Sequence, residues 1–321
     1  MTPEEEKSIE KWGQTLEHDL HIILVLTEDK RSEVFKNFTD SLTHICPKIR
    51  VKTEQSDATN APEIRIDNIR YHAIPLDKEL DPFLNLLSDR EACSQQLPLS
   101  IRERVDQIRI PALLKIYITP QCPFCPATVR QLIFLASAND LIRLYIIDGF
   151  LFREMAEADN IRSAPTVLLD GQFLWSGSIQ MSEMVDIILN RDASQLSTSS
   201  LLSMIEDGNA TKIAEMMVNI GCIFPAFMEL LVHEKWPVRL GAMVAFETVA
   251  TMDNQLLLQV IPFLWERFSQ VDDAVKGDIL YLYGQSKNEK VVPKLKSVVM
   301  GPFSDDVKEA AAEALEALNV T

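Results

Sequence analysis

Over roughly the first 190 positions, apolar residues fall into runs with both strand-like and helix-like periods; beyond them only helix-like periods remain. Leu113–Thr119, rich in apolar and β-branched residues, predicts a buried strand, and Ala127–Ala136 continues at helical spacing. Ile142–Asp148 predicts a second strand. Thr166–Asp170 and Phe173–Trp175 predict a strand pair around Asp170-Gly171, a dipeptide suited to a hairpin turn, and Met181–Asn190 predicts a closing helix. The same grammar occurs once before. His21–Thr27 reads as a strand, Glu33–Ile45 as a helix and Ile49–Thr53 as a strand; Glu63–Ile66 and Ile69–Ala73 read as short strands around Asp67-Asn68, and Leu80–Leu87 as a helix. Ala61-Pro62 precedes the first hairpin and Ala164-Pro165 the second, each with an aspartate five residues past the proline. These patterns predict an internal repeat, with modules at 1–98 and 99–193.

The last third reads differently. Ser194–Ser203 is rich in Ser and Thr and suits a linker or a helix start. Pro237-Val238-Arg239, Ala274-Val275-Lys276 and Asp306-Val307-Lys308 each open an amphipathic helix, and their valines are 37 and 32 positions apart. The apolar faces are Ala242, Val244 and Ala245, then Ile279 and Leu280, then Ala311, Ala314 and Leu315. Acidic starts at Asp272-Asp273 and Asp305-Asp306 suit the helix dipole, with Ser304 as an N-cap. A two-helix unit of this size cannot bury its own face, so stacking over 198–321 is expected.

Chemistry is concentrated at Cys122-Pro123-Phe124-Cys125. At a strand-to-helix junction the first sulfur meets backbone N–H groups and the positive end of the helix dipole, which favour a thiolate. The second cysteine, one turn on, can close or resolve a disulfide. Two other uses of a C-x-x-C pair compete. A zinc site needs a second ligand pair, and of His18, His21, His44, His72 and His233 only His18 and His21 are close in sequence. A purely structural disulfide needs an oxidising compartment. In the first module Lys30-Arg31-Ser32-Glu33 stands where the cysteines would be, so that copy has no dithiol chemistry. It serves either as a packing partner or, through the groove at Pro62, as a peptide binder. Ser56–Ala61 reads as a polar loop in place of a helix. Cys46, Cys93 and Cys222 are scattered and read as small buried hydrophobes, Cys93 being the one expected to be exposed.

The 321 residues suit two or three domains, and 47% hydrophobic with 24% charged residues is an ordinary globular composition. A formal charge of −16 disfavours nucleic-acid backbones and anionic membranes as partners. Met1–Glu6 has neither a basic nor an apolar leader pattern, and no run approaches the length of a membrane span, so a cytoplasmic protein is expected.

Strand, C-x-x-C, helix, strand, helix, X-Pro, hairpin, helix resembles the thioredoxin fold. The Cys-Pro-Phe-Cys-Pro site is similar to that of protein disulfide oxidoreductases built from tandem thioredoxin-like modules. The cysteine-free first module is similar to that of the N-terminal domain of the alkyl hydroperoxide reductase flavoprotein subunit. This resemblance, over about 1–193, implies that Cys122 attacks and Cys125 resolves. It also implies that the Ala164-Pro165 bond is cis, and that Pro123, Phe124, Ala164 and Pro165 meet the substrate; by the repeat, Pro62 would be cis too. Two departures stand out. Thioredoxins carry a buried acid in the strand before the cysteines, whereas Pro111–Thr119 offers only Lys115. Glutaredoxins carry a Gly-Gly turn that holds glutathione, whereas this chain has Trp175-Ser-Gly-Ser-Ile179.

The C-terminal helices resemble a HEAT-type α-solenoid of three to four helix pairs. The fold class expected is therefore α/β plus all-α: two tandem thioredoxin-like folds followed by HEAT-like repeats. The function expected is a thiol-disulfide oxidoreductase acting on protein disulfides, with no cofactor and no metal. Its upstream reductant would be a thioredoxin-reductase-like flavoprotein or glutathione, the flavoprotein being favoured. Pro-Phe between the cysteines leads to an expected reduction potential of roughly −180 to −230 mV. The helical repeats would dock a protein partner, or cap or dimerise the redox part. A reading from another class makes the protein a non-catalytic adaptor in which the repeats are the working part.

Overall fold

The computed structural model describes residues 1–56 and 61–318. The chain falls into two compact units, Met1–Arg191 and Asp192–Thr321. The first contains β1 (Leu20–Leu26), β2 (Ile49–Gln55), β3 (Glu63–Ile66), β4 (Ile69–His72), β5 (Ala112–Ile118), β6 (Ile142–Asp148), β7 (Thr166–Leu169) and β8 (Phe173–Ser176). Its helices are α1 (Pro3–Gly13), α2 (Ser32–Ile45), α3 (Leu80–Ser88), α4 (Arg90–Gln95), α5 (Leu99–Val105), α6 (Cys125–Ala138), α7 (Arg153–Ala158) and α8 (Met181–Asn190).

The eight strands form one sheet in the order β2-β1-β3-β4-β6-β5-β7-β8. Each half contributes a quartet of the same order and sense, with β1–β2 and β5–β6 parallel, and β1–β3, β3–β4, β5–β7 and β7–β8 antiparallel. The quartets join where β4 pairs with β6 in parallel, Ile69 facing Leu144 and His72 facing Ile147. The core runs unbroken from Ile9 to Ile188 across that join. β5, flanked by strands on both sides and buried on both faces, needs its near-continuous apolar sequence. At the join, the Asn68 side chain donates to the Ala136 carbonyl at 2.9 Å and the Leu144 N–H donates to the Asn68 carbonyl at 3.1 Å. The buried Glu63 pairs with Arg65 at 2.6 Å and approaches the His72 ring at 3.4 Å. Burial lowers the pKa of His72 and the facing Glu63 opposes that shift.

Three expectations are corrected. Among the described residues the cis peptide bond is Ala164–Pro165, so Ala61–Pro62 is trans. The Pro62 carbonyl is met by the buried His72 ring at 3.0 Å, so it is taken up within the protein. Cys93 is buried, because α4 turns its thiol toward the Asn85 carbonyl at 3.6 Å, and burial pushes the thiol pKa up. The Ser56–Ala61 loop lies mostly outside the described residues, and among those described no helix joins β2 to β3.

The second unit is helical: α9 (Thr198–Glu206), α10 (Ala210–Ile220), α11 (Pro225–Leu230), α12 (Trp236–Met252), α13 (Val260–Phe268), α14 (Asp273–Gln285), α15 (Val292–Val299) and α16 (Asp305–Ala317). Val238, Val275 and Val307 occupy matching buried positions in the first turns of α12, α14 and α16. Ser194–Ser203 is no free linker: Ser197 caps α9, and Ser200 and Ser203 are buried. Ser304 stands at the N-cap of α16 but gives its hydroxyl to Asp273 of α14 at 2.7 Å instead of capping its own helix. Val244 is exposed and follows Trp236 and Leu240 at four-residue spacing on α12, where Met252 is exposed too. Among the described residues no helix is long and apolar enough to cross a membrane, and no group of His, Cys, Asp or Glu side chains could hold a metal ion.

Candidate active site

β5 delivers the chain to the C-terminal edge of the sheet, where the Cys122 N–H bonds back to the Thr119 carbonyl at 3.1 Å. Cys125 is the first residue of α6, with Pro126 just behind it, where a missing N–H costs nothing. Cys122 and Cys125 are joined as a disulfide. The Cys125 N–H points at the Cys122 sulfur at 3.1 Å, so the free donors of a helix start face that sulfur as the motif implied. Cys125 is fully buried and Cys122 is 8% exposed, so an incoming group reaches Cys122 first. Pro123 is exposed, and Phe124, at 71% exposure, stands out into solvent.

Tyr117 pairs with Thr166, so the cis Ala164–Pro165 step lies beside Ile118 at the edge where the cysteine loop departs. Its carbonyl accepts the Gly177 N–H at 2.9 Å, from the Ser-Gly-Ser turn after β8. Gly177 needs a left-handed φ of 84° there, which glycine adopts without a steric penalty. His21, near the start of β1, lies toward the opposite edge of the sheet from the cysteines.

Two acids of this unit stand out by their surroundings. Asp159, just past α7, accepts from the Lys115 ammonium at 2.8 Å and from the Tyr117 hydroxyl at 2.6 Å, both on Oδ2. Glu79, in the 3-10 turn Asp77–Glu79, comes from the cysteine-free half and packs against α6. Its Oε2 is buried without a hydrogen-bond partner. Burial pushes its carboxyl up to about 7, opposed by the Arg130 guanidinium of α6. In sequence Glu79 looks like an ordinary acid at a helix start, and only its packing against α6 sets it apart.

Residues 113–190 match the family described as thioredoxin domain. The F subunit of alkyl hydroperoxide reductase from Pseudomonas aeruginosa is 27% identical over 210 residues, 62% of this chain and 39% of that protein. A Bacillus subtilis protein named NADH dehydrogenase is 24% identical over 183 residues, 55% of this chain and 36% of that protein. The chain thus spans under two fifths of the length of these curated relatives. The solved NTD_N/C domain of alkylhydroperoxide reductase from Enterococcus faecalis superposes with a TM-score of 0.51 at 20% identity, covering 59% of this chain and 100% of that one. A protein disulfide oxidoreductase from Aeropyrum pernix superposes with a TM-score of 0.52 at 14% identity, covering 59% and 92%. The Cys122–Cys125 pair therefore sits in the segment that matches the thioredoxin-domain family, within a unit whose sequence is similar to part of the F subunit of alkyl hydroperoxide reductase and whose fold is similar to the two solved structures.

Proposed function

We propose that the chain is a protein-disulfide oxidoreductase whose dithiol is Cys122 and Cys125, built on two tandem thioredoxin-like modules and carrying a HEAT-like helical unit. The observation that carries this reading is the Cys122–Cys125 disulfide at the start of α6, with the cis Ala164–Pro165 step at the same strand edge. In the reducing direction, the Cys122 thiolate attacks one sulfur of a substrate disulfide. A mixed disulfide forms and one substrate thiolate leaves, taking a proton from solvent. Cys125 loses its proton to a base, for which Glu79, packed against α6 and with its carboxyl raised to about 7, is the candidate, and its thiolate attacks the Cys122 sulfur. The second substrate thiolate leaves and the Cys122–Cys125 disulfide remains, two electrons having passed to the substrate. Pro123, Phe124, Ala164 and Pro165 border the reacting sulfur and hold the substrate backbone.

A dithiol or flavoprotein-class reductant must then return two electrons. A flavoprotein is favoured over glutathione by the likeness to the F subunit of alkyl hydroperoxide reductase and by the Trp175-Ser-Gly-Ser-Ile179 turn. The working compartment we propose is the cytoplasm. The helical unit docks the protein that carries the disulfide, and the exposed Trp236, Leu240, Val244 and Met252 on α12 support that role. Such tethering raises the effective concentration of substrate without new catalytic groups.

Insulin reduction, driven by a thioredoxin-reductase-class flavoprotein or by glutathione, tests the reading. Catalytic turnover with the flavoprotein is expected, and strictly stoichiometric reduction would favour the adaptor. The first unit alone, 1–191, covers the whole of a solved Enterococcus domain and is expected to keep insulin reduction. Its KM for the docked partner should rise several-fold.

A further inference from the structure

The cysteine-free site has kept a position and changed its chemistry. Arg31 is the residue before α2, as Phe124 is the residue before α6. Its Nε bonds the Asp29 carboxylate at 2.9 and 3.0 Å. Its other nitrogens reach across to the second half, with Nη1 donating to the Leu151 carbonyl at 2.7 Å and Nη2 pairing with Glu154 at 2.6 Å. The guanidinium lies 4.1 Å from the centre of the Phe152 ring. Phe152 itself is fully buried, edge-on to Phe35 and His72.

These contacts converge on the turn between β6 and α7, and the turn is fastened at its other end too. The Gly149 N–H bonds the Ile118 carbonyl at 2.9 Å, and the Asp148 carboxylate accepts the N–H groups of Phe150 and Leu151 at 2.8 and 3.3 Å. The side chain left pointing out is Phe150, 69% exposed. An exposed aromatic on a turn fixed on both sides has little conformational entropy to lose when covered, which is what a recognition anchor needs. Asp148 ends β6 and pairs with Ile118 at the end of β5. Parallel neighbours are about 4.8 Å apart, so the Phe150 turn and the Cys122 loop leave the same edge side by side.

We propose that the cysteine-free site is a clamp. Arg31 fixes the turn 149–152 so that Phe150 and Phe124 flank Cys122 as an apolar pair, selecting polypeptide segments with a bulky apolar side chain next to the reacting cysteine. Arg31 is then a positioning residue and Phe150 a specificity residue. The inference rests on the dithiol reading above.

Full-length protein, reduced chemically beforehand, is mixed with two disulfide-bearing peptides that differ only in Leu or Ser beside the cysteine. The wild type is expected to favour the Leu peptide. Phe150→Ser should cut the Leu/Ser rate ratio about five- to tenfold, the loss expected for a contact of over 1 kcal/mol. Arg31→Gln should cut it equally, and the double variant no further. Arg31→Lys should not restore it, because an ammonium cannot hold a carbonyl, a carboxylate and a ring face together. Amide exchange at 150–152 should quicken in Arg31→Gln and not in Phe150→Ser. If Arg31→Gln unfolds, Glu154→Gln removes one contact and should give a smaller loss in the same direction. An unchanged ratio in Arg31→Gln, or effects that multiply in the double variant, overturns the clamp. A wild type inert even to a small aromatic disulfide would mean that the dithiol reading has failed, and the amide exchange would still decide the clamp.

Discussion

The two quartets of the sheet share strand order, strand sense and a proline before the hairpin, and they differ around the edge that carries the disulfide in the second. After β5 the chain presents two sulfurs and an exposed phenylalanine; after β1 it presents Asp29 and Arg31 locked together. Before β7 the proline is cis and near the edge where the cysteine loop departs, while before β3 it is trans and its carbonyl meets His72. The turn aspartates have diverged in the same way. Asp67 and Asp170 both take φ of 50°, yet Asp67 is mostly exposed beside Arg90 and Asp170 is 2% exposed against Arg191. The first quartet has no cysteines at that edge and packs against the second. It supplies the second with a neighbouring strand, a buried carboxylate and a guanidinium, each of which a lone second module would lack.

The largest effect expected from breaking this asymmetry is at the sulfurs. Cys122→Ser should reduce insulin-reducing activity to background, since Cys125 alone is fully buried and has no partner thiol to close a disulfide. Cys125→Ser should leave a mixed disulfide at Cys122, visible as a mass shift of one substrate chain. Alkylation of the reduced protein should be faster at Cys122 than at the fully buried Cys125. Equal rates would count against Cys122 as the attacking sulfur.

Next come the mirrored ion pairs. Arg191 Nε meets Asp170 at 2.7 Å with both side chains buried, and Asp170 also accepts the Leu113 N–H at 2.9 Å. Removing the guanidinium strands a buried carboxylate, so Arg191→Ala should cost about 3–5 kcal/mol in denaturant unfolding. Its mirror, Asp67→Asn, breaks a surface pair at 3.1 Å and should cost under about 1 kcal/mol. Similar costs at the two positions would mean that the halves carry load alike.

Much of this was legible in the chain. The short apolar, β-branched runs pointed to the strands, and Asp-Asn and Asp-Gly to the hairpins, because run composition and turn chemistry are local. The disulfide was legible for the same reason, its cysteines lying one turn apart. What escaped was non-local. Cys93 sits in a polar stretch and is buried only because α4 folds back against α6. Pro62 carries the same dipeptide as Pro165 and is trans, its carbonyl meeting a histidine ten residues away. Arg31 looked like a lost cysteine site, since its partners Leu151 and Glu154 lie over a hundred positions along the chain.

The sharpest test of the first half as a contributor is at Glu79. Burial raises its carboxyl to about 7, so near neutral pH it can accept and return a proton, and its Oε2 has no partner to lose. If it takes the Cys125 proton, Glu79→Gln should slow resolution of the mixed disulfide about ten- to a hundredfold and leave its formation at Cys122 unaffected. In the wild type the resolution rate should climb as pH rises through about 7, as the carboxylate forms, and that limb should vanish in the variant. Stability should move the opposite way. A carboxyl whose pKa is raised by folding binds its proton more tightly folded than unfolded. Its contribution is fully present below the unfolded value near 4.5 and is lost as pH rises through about 7. Glu79→Gln removes that loss, so above pH 7 the variant should be more stable than the wild type by about 1–3 kcal/mol while being slower. A variant that is slower and also less stable at pH 8 would mark Glu79 as packing. A variant unchanged in both would leave the proton to solvent and the first half to architecture alone.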